Sequence, residues 1–487
     1  MAIRVRPDRT PAARALPRAA PGAWILAAVL LAAAVLRFAT LSTQSLWEDE
    51  GFTAQIGSSS LHSAASQIPK TESTPPLYYA LEWGWVHLFG SSEATLRSLS
   101  ALFGCLTVVA VYWAAVGLAS QRVALIAAAL TAVSPIMVWY SQEARAYALF
   151  VLLCTLAFGF FTRALEDRRR VWLLGWSVCS AAALATHYFG VFPLVVEAVW
   201  LLFKRRGPST VVAMTLPAAV GGALIPLLLY QKAHVPRPWT SIYTVYDQAR
   251  AIGQSFFVGI TWTPLIHRYA VALLAILALA AAHAAIRLTG ERRQRVAVAL
   301  VAFVAITLAL PTVVSLLGTN YLAPRNVLYA WPLLALLAAL GIGRPGAGRV
   351  SAAGLVLGLA VSLAIVVAVA TTPRLQREDW RGLLHELGPA PGPRAVAVVN
   401  GFTIVPVVRY YVRGLRTPRH PFSVHRADVI LFDQPLRNPA RFAPARGLAL
   451  QSERVNGHIV LLQFAAASPV SIPPSAPKQT IFEQSGS

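Results

Sequence analysis

Apolar runs dominate this chain, and many are long enough to cross the roughly 30 Å hydrocarbon core of a bilayer, a distance that takes about 20 helical residues. They fall at about 21–41, 98–118, 123–139, 146–165, 171–186, 188–203, 210–230, 269–287, 296–317, 326–342 and 350–371. Backbone facing lipid must satisfy its own hydrogen bonds, so runs of this length read as helices. The chain is therefore expected to be a polytopic α-helical membrane protein with about eleven transmembrane helices. A composition of 56% hydrophobic and 13% charged residues, with a mean hydropathy of +0.58, excludes an ordinary soluble domain. The pair 171–186 and 188–203 is short. If it formed one re-entrant hairpin, the orientation of the other helices would be unchanged.

The formal charge of +22 does not read as a nucleic-acid footprint, because the basic residues gather in short loops between apolar runs. Arg122, Arg168–Arg170, Lys204–Arg206, Arg292, Arg293, Arg295, Arg344 and Arg349 all fall on the side of the basic N-terminus, residues 1–20. The positive-inside rule places that side in the cytoplasm of a bacterial inner membrane. An odd number of spans leaves the C-terminal region outside. Arg4 to Arg18 followed by an apolar run superficially resembles a signal peptide, but the run is long and lacks a clean cleavage site, so it reads as an uncleaved first span. Cys105, Cys154 and Cys179 lie within apolar runs as buried small hydrophobes, with no disulfide framework. No metal pattern and no cofactor are read, although a divalent cation beside Asp49 and Glu50 stays open.

Two outer loops are long. The first, about 42–97, opens with Trp47-Glu48-Asp49-Glu50 and carries the aromatic segment Leu77–Phe89, which suits a helix lying at the interface. Three consecutive carboxylates are costly inside a bilayer, so they mark its boundary. The second loop, about 231–268, brings Trp239, Tyr243, Tyr246 and Trp262. Residues 21–372 form the transmembrane part, and 373–464 read as a small external α/β domain with strands at Ala395–Val399, Asp428–Phe432 and His458–Phe464. The Pro-rich stretch 465–487 is expected to be disordered. Asp49 and Glu50, the Glu143–Arg145 pair, His187-Tyr188 and Arg325-Asn326 all fall at the outer ends of spans, in one plane. Taken singly these residues also suit blander roles: a solvated loop acid for Asp49, an ion pair bracing two spans for Glu143 and Arg145, a capping histidine for His187, and a headgroup anchor for Arg325.

Taken in order, Leu46-Trp47-Glu48-Asp49-Glu50-Gly51-Phe52-Thr53, Thr74-Pro75-Pro76-Leu77-Tyr78-Tyr79, Leu88-Phe89-Gly90 with Arg97-Ser98-Leu99-Ser100, Ser141-Gln142-Glu143-Ala144-Arg145-Ala146-Tyr147, Thr186-His187-Tyr188-Phe189-Gly190 and Pro324-Arg325-Asn326 resemble a known family. It is that of the polyprenyl-phosphate-sugar-dependent glycosyltransferases with the GT-C fold, which includes protein O-mannosyltransferases and lipid A aminoarabinose transferases. The resemblance covers about 21–345, and Asp379-Trp380-Arg381 resembles a segment opening the external domain of bacterial members. It implies transfer of a sugar from a polyprenyl-phosphate carrier to a hydroxyl-bearing acceptor at the outer face, with inversion. It makes Asp49 the general base and Glu50 its helper. Arg145 and Arg325 would then hold the donor phosphate through paired guanidinium hydrogen bonds. Glu143, His187, Tyr188, Tyr78 and Tyr79 would contact substrate. Arg325-Asn326 departs from the Arg-Tyr common in relatives, and Glu48 from the smaller or aromatic residue common there. The alternative from another class is a transporter or flippase of lipid-linked sugar. Such a protein needs ionisable groups near the midplane, where the sequence offers little beyond Glu197 and His283.

Overall fold

The computed structural model describes residues 21–234, 239–260, 264–286, 291–344, 346, 348–389, 392–399, 401–476 and 478–485. The basic stretch 1–20, Arg237 and Trp262 lie outside the described residues, as do the side chains of Trp239 and Arg268. The membrane part holds α1 (Pro21–Phe38), α2 (Glu48–Gly57), α3 (Leu61–Thr71), α4 (Leu77–Phe89), α5 (Glu93–Leu118), α6 (Gln121–Val133), α7 (Pro135–Ser141) and α8 (Tyr147–Glu166). It continues through α9 (Arg170–Thr186), α10 (Val191–Lys204), α11 (Pro208–His234), α12 (Val245–Val258), α13 (Pro264–Ile286), α14 (Glu291–Leu317), α15 (Trp331–Ile342) and α16 (Arg349–Thr371).

Every apolar run expected to span is helical over most of its length. Among the described residues six helical segments are long and apolar enough to cross a membrane, and a seventh is added if the bent pair α6–α7 is one span. α1, α9 and residues 271–285 of α13 are shorter apolar stretches. The 60° bend between α6 and α7 has a local cause. Pro135 lacks the N–H that would continue the helix, which frees the last carbonyls of α6. Arg37, fully buried at the end of α1, donates to Ala132 O at 2.9 Å and Thr131 O at 3.2 Å, and its Nε reaches Ser141 Oγ at 3.2 Å. At the other end of the bundle Arg205 caps α8 in the same way, through Ala164 O at 2.7 Å and Asp167 O at 2.8 Å. The same end carries the Arg292–Glu166 ion pair at 2.8 Å, so the basic loops at 166–170, 204–206 and 291–295 share one end.

α2, α3 and α4 lie at the opposite end. On them sits the C-terminal domain: α17 (Trp380–His385), α18 (Val405–Tyr411) and strands β1 (Arg394–Val399), β2 (Leu415–Arg416), β3 (Phe422–Phe432), β4 (Ala449–Asn456), β5 (Ile459–Ile472) and β6 (Gln479–Gln484). Their order is β2-β6-β1-β3-β5-β4, with β1 and β3 parallel and the other pairs antiparallel. Alternation along β1 sends Val396 and Val398 toward α17 and α18, and Ala395 and Ala397 toward a second core containing Val429 and Leu462. The stretch expected to be disordered corrects the sequence reading. Residues 465–472 extend β5, and β6 is the strand between β1 and β2. Ile481 and Phe482, 2% and 1% exposed, supply the apolar burial that a disordered tail lacks. Pro469 sits where β5 breaks register against β3, between Val424 and Arg426, and there no ladder bond is required.

Candidate active site

α2 starts immediately after Trp47, so Glu48, Asp49 and Glu50 occupy its first turn, where the helix dipole favours negative charge. Successive helical residues point about 100° apart, which gives the three acids three different surroundings. Glu50 is fully buried. Arg97 meets it through Nε at 2.8 Å and Nη2 at 2.5 Å, and the Ala144 N–H donates to it at 2.9 Å. Arg97 also donates to Leu41 O, Gln44 O and Ser45 O at 2.7–2.8 Å. Glu50, expected as a helper in the chemistry, is thus a structural anion whose oxygens are already occupied. The cations around it hold its carboxyl below the usual range in spite of complete burial.

Glu48 is also buried, at 7%, and burial pushes its carboxyl up to about 8. A folded pKa above the unfolded value favours folding at low pH, and that contribution is lost as pH rises from about 4.5 through about 8. Glu48→Gln should therefore raise the melting temperature at pH 8.5 and change it much less at pH 5. Thermal unfolding of the detergent-solubilised protein at the two pH values checks this, and an equal shift at both would contradict it.

Asp49 keeps 32% of its side chain exposed, and its Oδ2 accepts from Arg325 Nη1 at 3.1 Å. Arg325 stands in the turn Pro324–Ala330 ahead of α15, with its guanidinium 5.7 Å from the Tyr147 ring centre. On either side of it in sequence, Leu322 and Val327 line an apolar cavity of about 450 Å³ that extends among α12 to α16 past Phe256, Leu277 and Trp331. The lining of this apolar cavity thus comes within two residues of Arg325 along the chain.

The expected Glu143–Arg145 pair is not formed. Both residues sit in the tight turn between α7 and α8, where the Arg145 N–H reaches Glu143 O at 2.7 Å and the side chains diverge. Arg145, 5% exposed, pairs with Glu72 through Nη2 at 2.8 Å and Nη1 at 3.1 Å, and it also donates to Asp49 O at 3.2 Å. Its fork is spent on protein groups, so it braces the backbone of Asp49 rather than lying open to a phosphate. Glu143 instead accepts from Arg377 Nη2 at 2.8 Å. Burial raises its carboxyl to about 7 even beside that cation.

Tyr78 and Tyr79 are fully buried as well, with their hydroxyls engaged inside the protein. Tyr78 bonds Ser100 Oγ at 3.0 Å, and Tyr79 donates to Glu72 at 2.5 Å. His187 caps the break between α9 and the next turn, accepting from the Phe189 N–H at 3.2 Å and stacking on Phe150 at 4.7 Å. Burial, with Arg325 and Arg145 nearby, lowers its pKa to about 3, so it is neutral and offers no charge to an anion. Tyr188 donates to Gln231 at 2.8 Å, which ties the turn after α9 to α11. Among the described residues no group of three or more His, Cys, Asp or Glu side chains is placed to hold a metal.

Three residues that complete this plane were missed as participants: Glu72, Arg97 and Arg377. Each had a signal, since it lies within two residues of a motif element or inside one: Thr74-Pro75-Pro76, Arg97-Ser98-Leu99-Ser100 and Asp379-Trp380-Arg381.

Residues 73–232 match the family model described as dolichyl-phosphate-mannose-protein mannosyltransferase. No curated protein matches the chain in sequence. Among solved structures, ArnT from Cupriavidus metallidurans bound to undecaprenyl phosphate is similar, with a TM-score of 0.60 and 14% identity over 94% of this chain and 100% of that one. Its apo form gives 0.55 and 14% over 93% and 99%. The apo oligosaccharyltransferase of Archaeoglobus fulgidus gives 0.51 and 14%, over 75% of this chain and 57% of that one. The chain therefore shares the GT-C fold of these membrane-embedded glycosyltransferases over nearly its whole length, and residues 73–232 carry the family match.

Proposed function

We propose that the protein moves a sugar from a polyprenyl-phosphate carrier to a hydroxyl-bearing acceptor, with Asp49 as general base. The observation that carries this reading is the asymmetry of the acidic turn. Of its three carboxylates only Asp49 keeps a large exposed share, and it does so beside a guanidinium whose chain neighbours Leu322 and Val327 line an apolar cavity. The match to a lipid-phosphate-sugar transferase family and the likeness to a structure bound to undecaprenyl phosphate support the donor class.

In the reaction, the acceptor oxygen attacks the anomeric carbon as Asp49 takes its proton. The bond from that carbon to the phosphate oxygen breaks on the opposite face, and polyprenyl phosphate departs with inversion at the sugar. Arg325 stabilises the charge that develops on the phosphate. Before donor binds, Arg325 neutralises Asp49; a phosphate drawing that guanidinium toward itself leaves the carboxylate ready to accept a proton. The isoprenoid chain lies along the apolar cavity.

Mass spectrometry of lipid-linked sugars and envelope glycans in cells lacking the protein tests this reading. One polyprenyl-phosphate sugar should accumulate while one glycan or protein loses that sugar. Unchanged profiles in both fractions would contradict it.

A further inference from the structure

The bundle and the C-terminal domain meet on the loop that carries Asp49, and the contacts are dense. The Arg377 N–H donates to Gln44 Oε1 at 3.1 Å. Ser45 Oγ donates to Glu378 O at 2.9 Å and accepts from the Trp380 N–H at 3.0 Å. The Leu46 N–H donates to Tyr411 Oη at 2.7 Å, and that hydroxyl in turn bonds Glu93. Gly51 leaves room for α18, because a Cβ there would come within 2.6 Å of the Val407 nitrogen. The domain therefore grips the chain on both sides of Asp49.

Arg377 reaches from this interface into the acidic plane. Its guanidinium is 6% exposed. It donates to Glu143 Oε2 at 2.8 Å and to Gln142 O at 3.4 Å, and it stands 3.9 Å from Glu50 Oε2. It also lies over two indoles, 4.5 Å from the centre of Trp139 and 5.7 Å from that of Trp47. Trp47 precedes Asp49 by two residues and Glu50 follows it, so one cation holds both flanks of the base. It joins them to the turn from which Arg145 reaches the Asp49 carbonyl.

We infer that Arg377 is a positioning residue for Asp49, and that the C-terminal domain is thereby a working part of the active site rather than an appended binding module. This rests on the reading of Asp49 as the base. A guanidinium suits this place because four groups must be served at once: a carboxylate, a carbonyl and two aromatic faces. A misplaced base costs rate far more than binding, because only the transition state needs the exact approach of its oxygen to the acceptor hydroxyl.

The test is Arg377→Gln and Arg377→Lys in the full-length protein, assayed with a polyprenyl-phosphate-sugar extract and read alongside hydrogen–deuterium exchange over residues 42–52. Arg377→Gln is expected to lower kcat ~10- to 100-fold with the donor KM nearly unchanged. It should also speed exchange in that loop, while β1 and β3 stay protected. Arg377→Lys should restore part of kcat. Should Arg377→Gln fail to fold, Tyr411→Phe loosens the same loop through Leu46 and should lower kcat in the same sense. Unchanged kcat, or a raised KM with kcat intact, overturns the inference; the latter outcome makes the domain a substrate-binding module. Asp49→Asn is run beside them. If it stays active, the base reading fails, whereas an inactive Asp49→Asn with a fully active Arg377→Gln sinks only the positioning role.

Discussion

Asp49→Asn is expected to abolish sugar transfer while leaving the folded protein in the membrane at its normal level. The amide keeps the size of the side chain but cannot take a proton at neutral pH. Removal of a general base costs about 10²- to 10⁴-fold in rate. The stability cost should stay below about 1 kcal/mol, because the ion pair with Arg325 is partly open to solvent. Glu48→Gln is the matched control: one residue away, on the same helical turn, it removes a carboxylate that is buried and should leave transfer intact. Initial rates of transfer in membranes containing each variant, normalised to protein, separate the two. Full activity in Asp49→Asn would overturn the base assignment.

Arg97→Met is expected to be the most damaging substitution for the fold itself. It leaves Glu50 fully buried without its main cation and strands three carbonyls of the loop that leads to Asp49. Breaking a buried pair from one side costs about 3–5 kcal/mol, a large share of the total stability of a domain. The variant should aggregate on extraction or melt well below the parent in a thermal unfolding scan. Adding Glu50→Gln to it should recover part of the loss, because the stranded charge is then gone. An Arg97→Met protein that melts with the parent would show that Glu50 is not the electrostatic anchor of α2.

Much of this architecture was legible in the sequence, because the bilayer imposes simple rules on apolar length and basic loops. The positions of the helices, and the outer-plane grouping of Asp49, Arg145 and Arg325, follow from those rules together with the motifs. Partnership did not follow. Glu143 and Arg145 are two apart, yet the turn between α7 and α8 sends one to Arg377 and the other to Glu72, far along the chain in either direction. Nor did burial. Tyr78, Tyr79 and Glu50 are polar residues of a conspicuous motif, and nothing local distinguishes a side chain aimed at substrate from one closing a buried network. The stretch after 465 misled for a compositional reason. Its prolines resemble a linker, whereas Ile481 and Phe482 matter only through β1, more than 80 residues earlier. These failures share a cause: long-range contacts decided the outcome.

The most direct measurement is made on the detergent-purified protein, supplied with polyprenyl-phosphate sugars extracted from the producing cells and with acceptor-bearing envelope material. Free polyprenyl phosphate should appear together with glycosylated acceptor, in equal amounts, only when both substrates are present, and not with Asp49→Asn. Release of polyprenyl phosphate at the same rate without acceptor, or no release under any condition, would contradict a transferase in which Asp49 activates the acceptor hydroxyl.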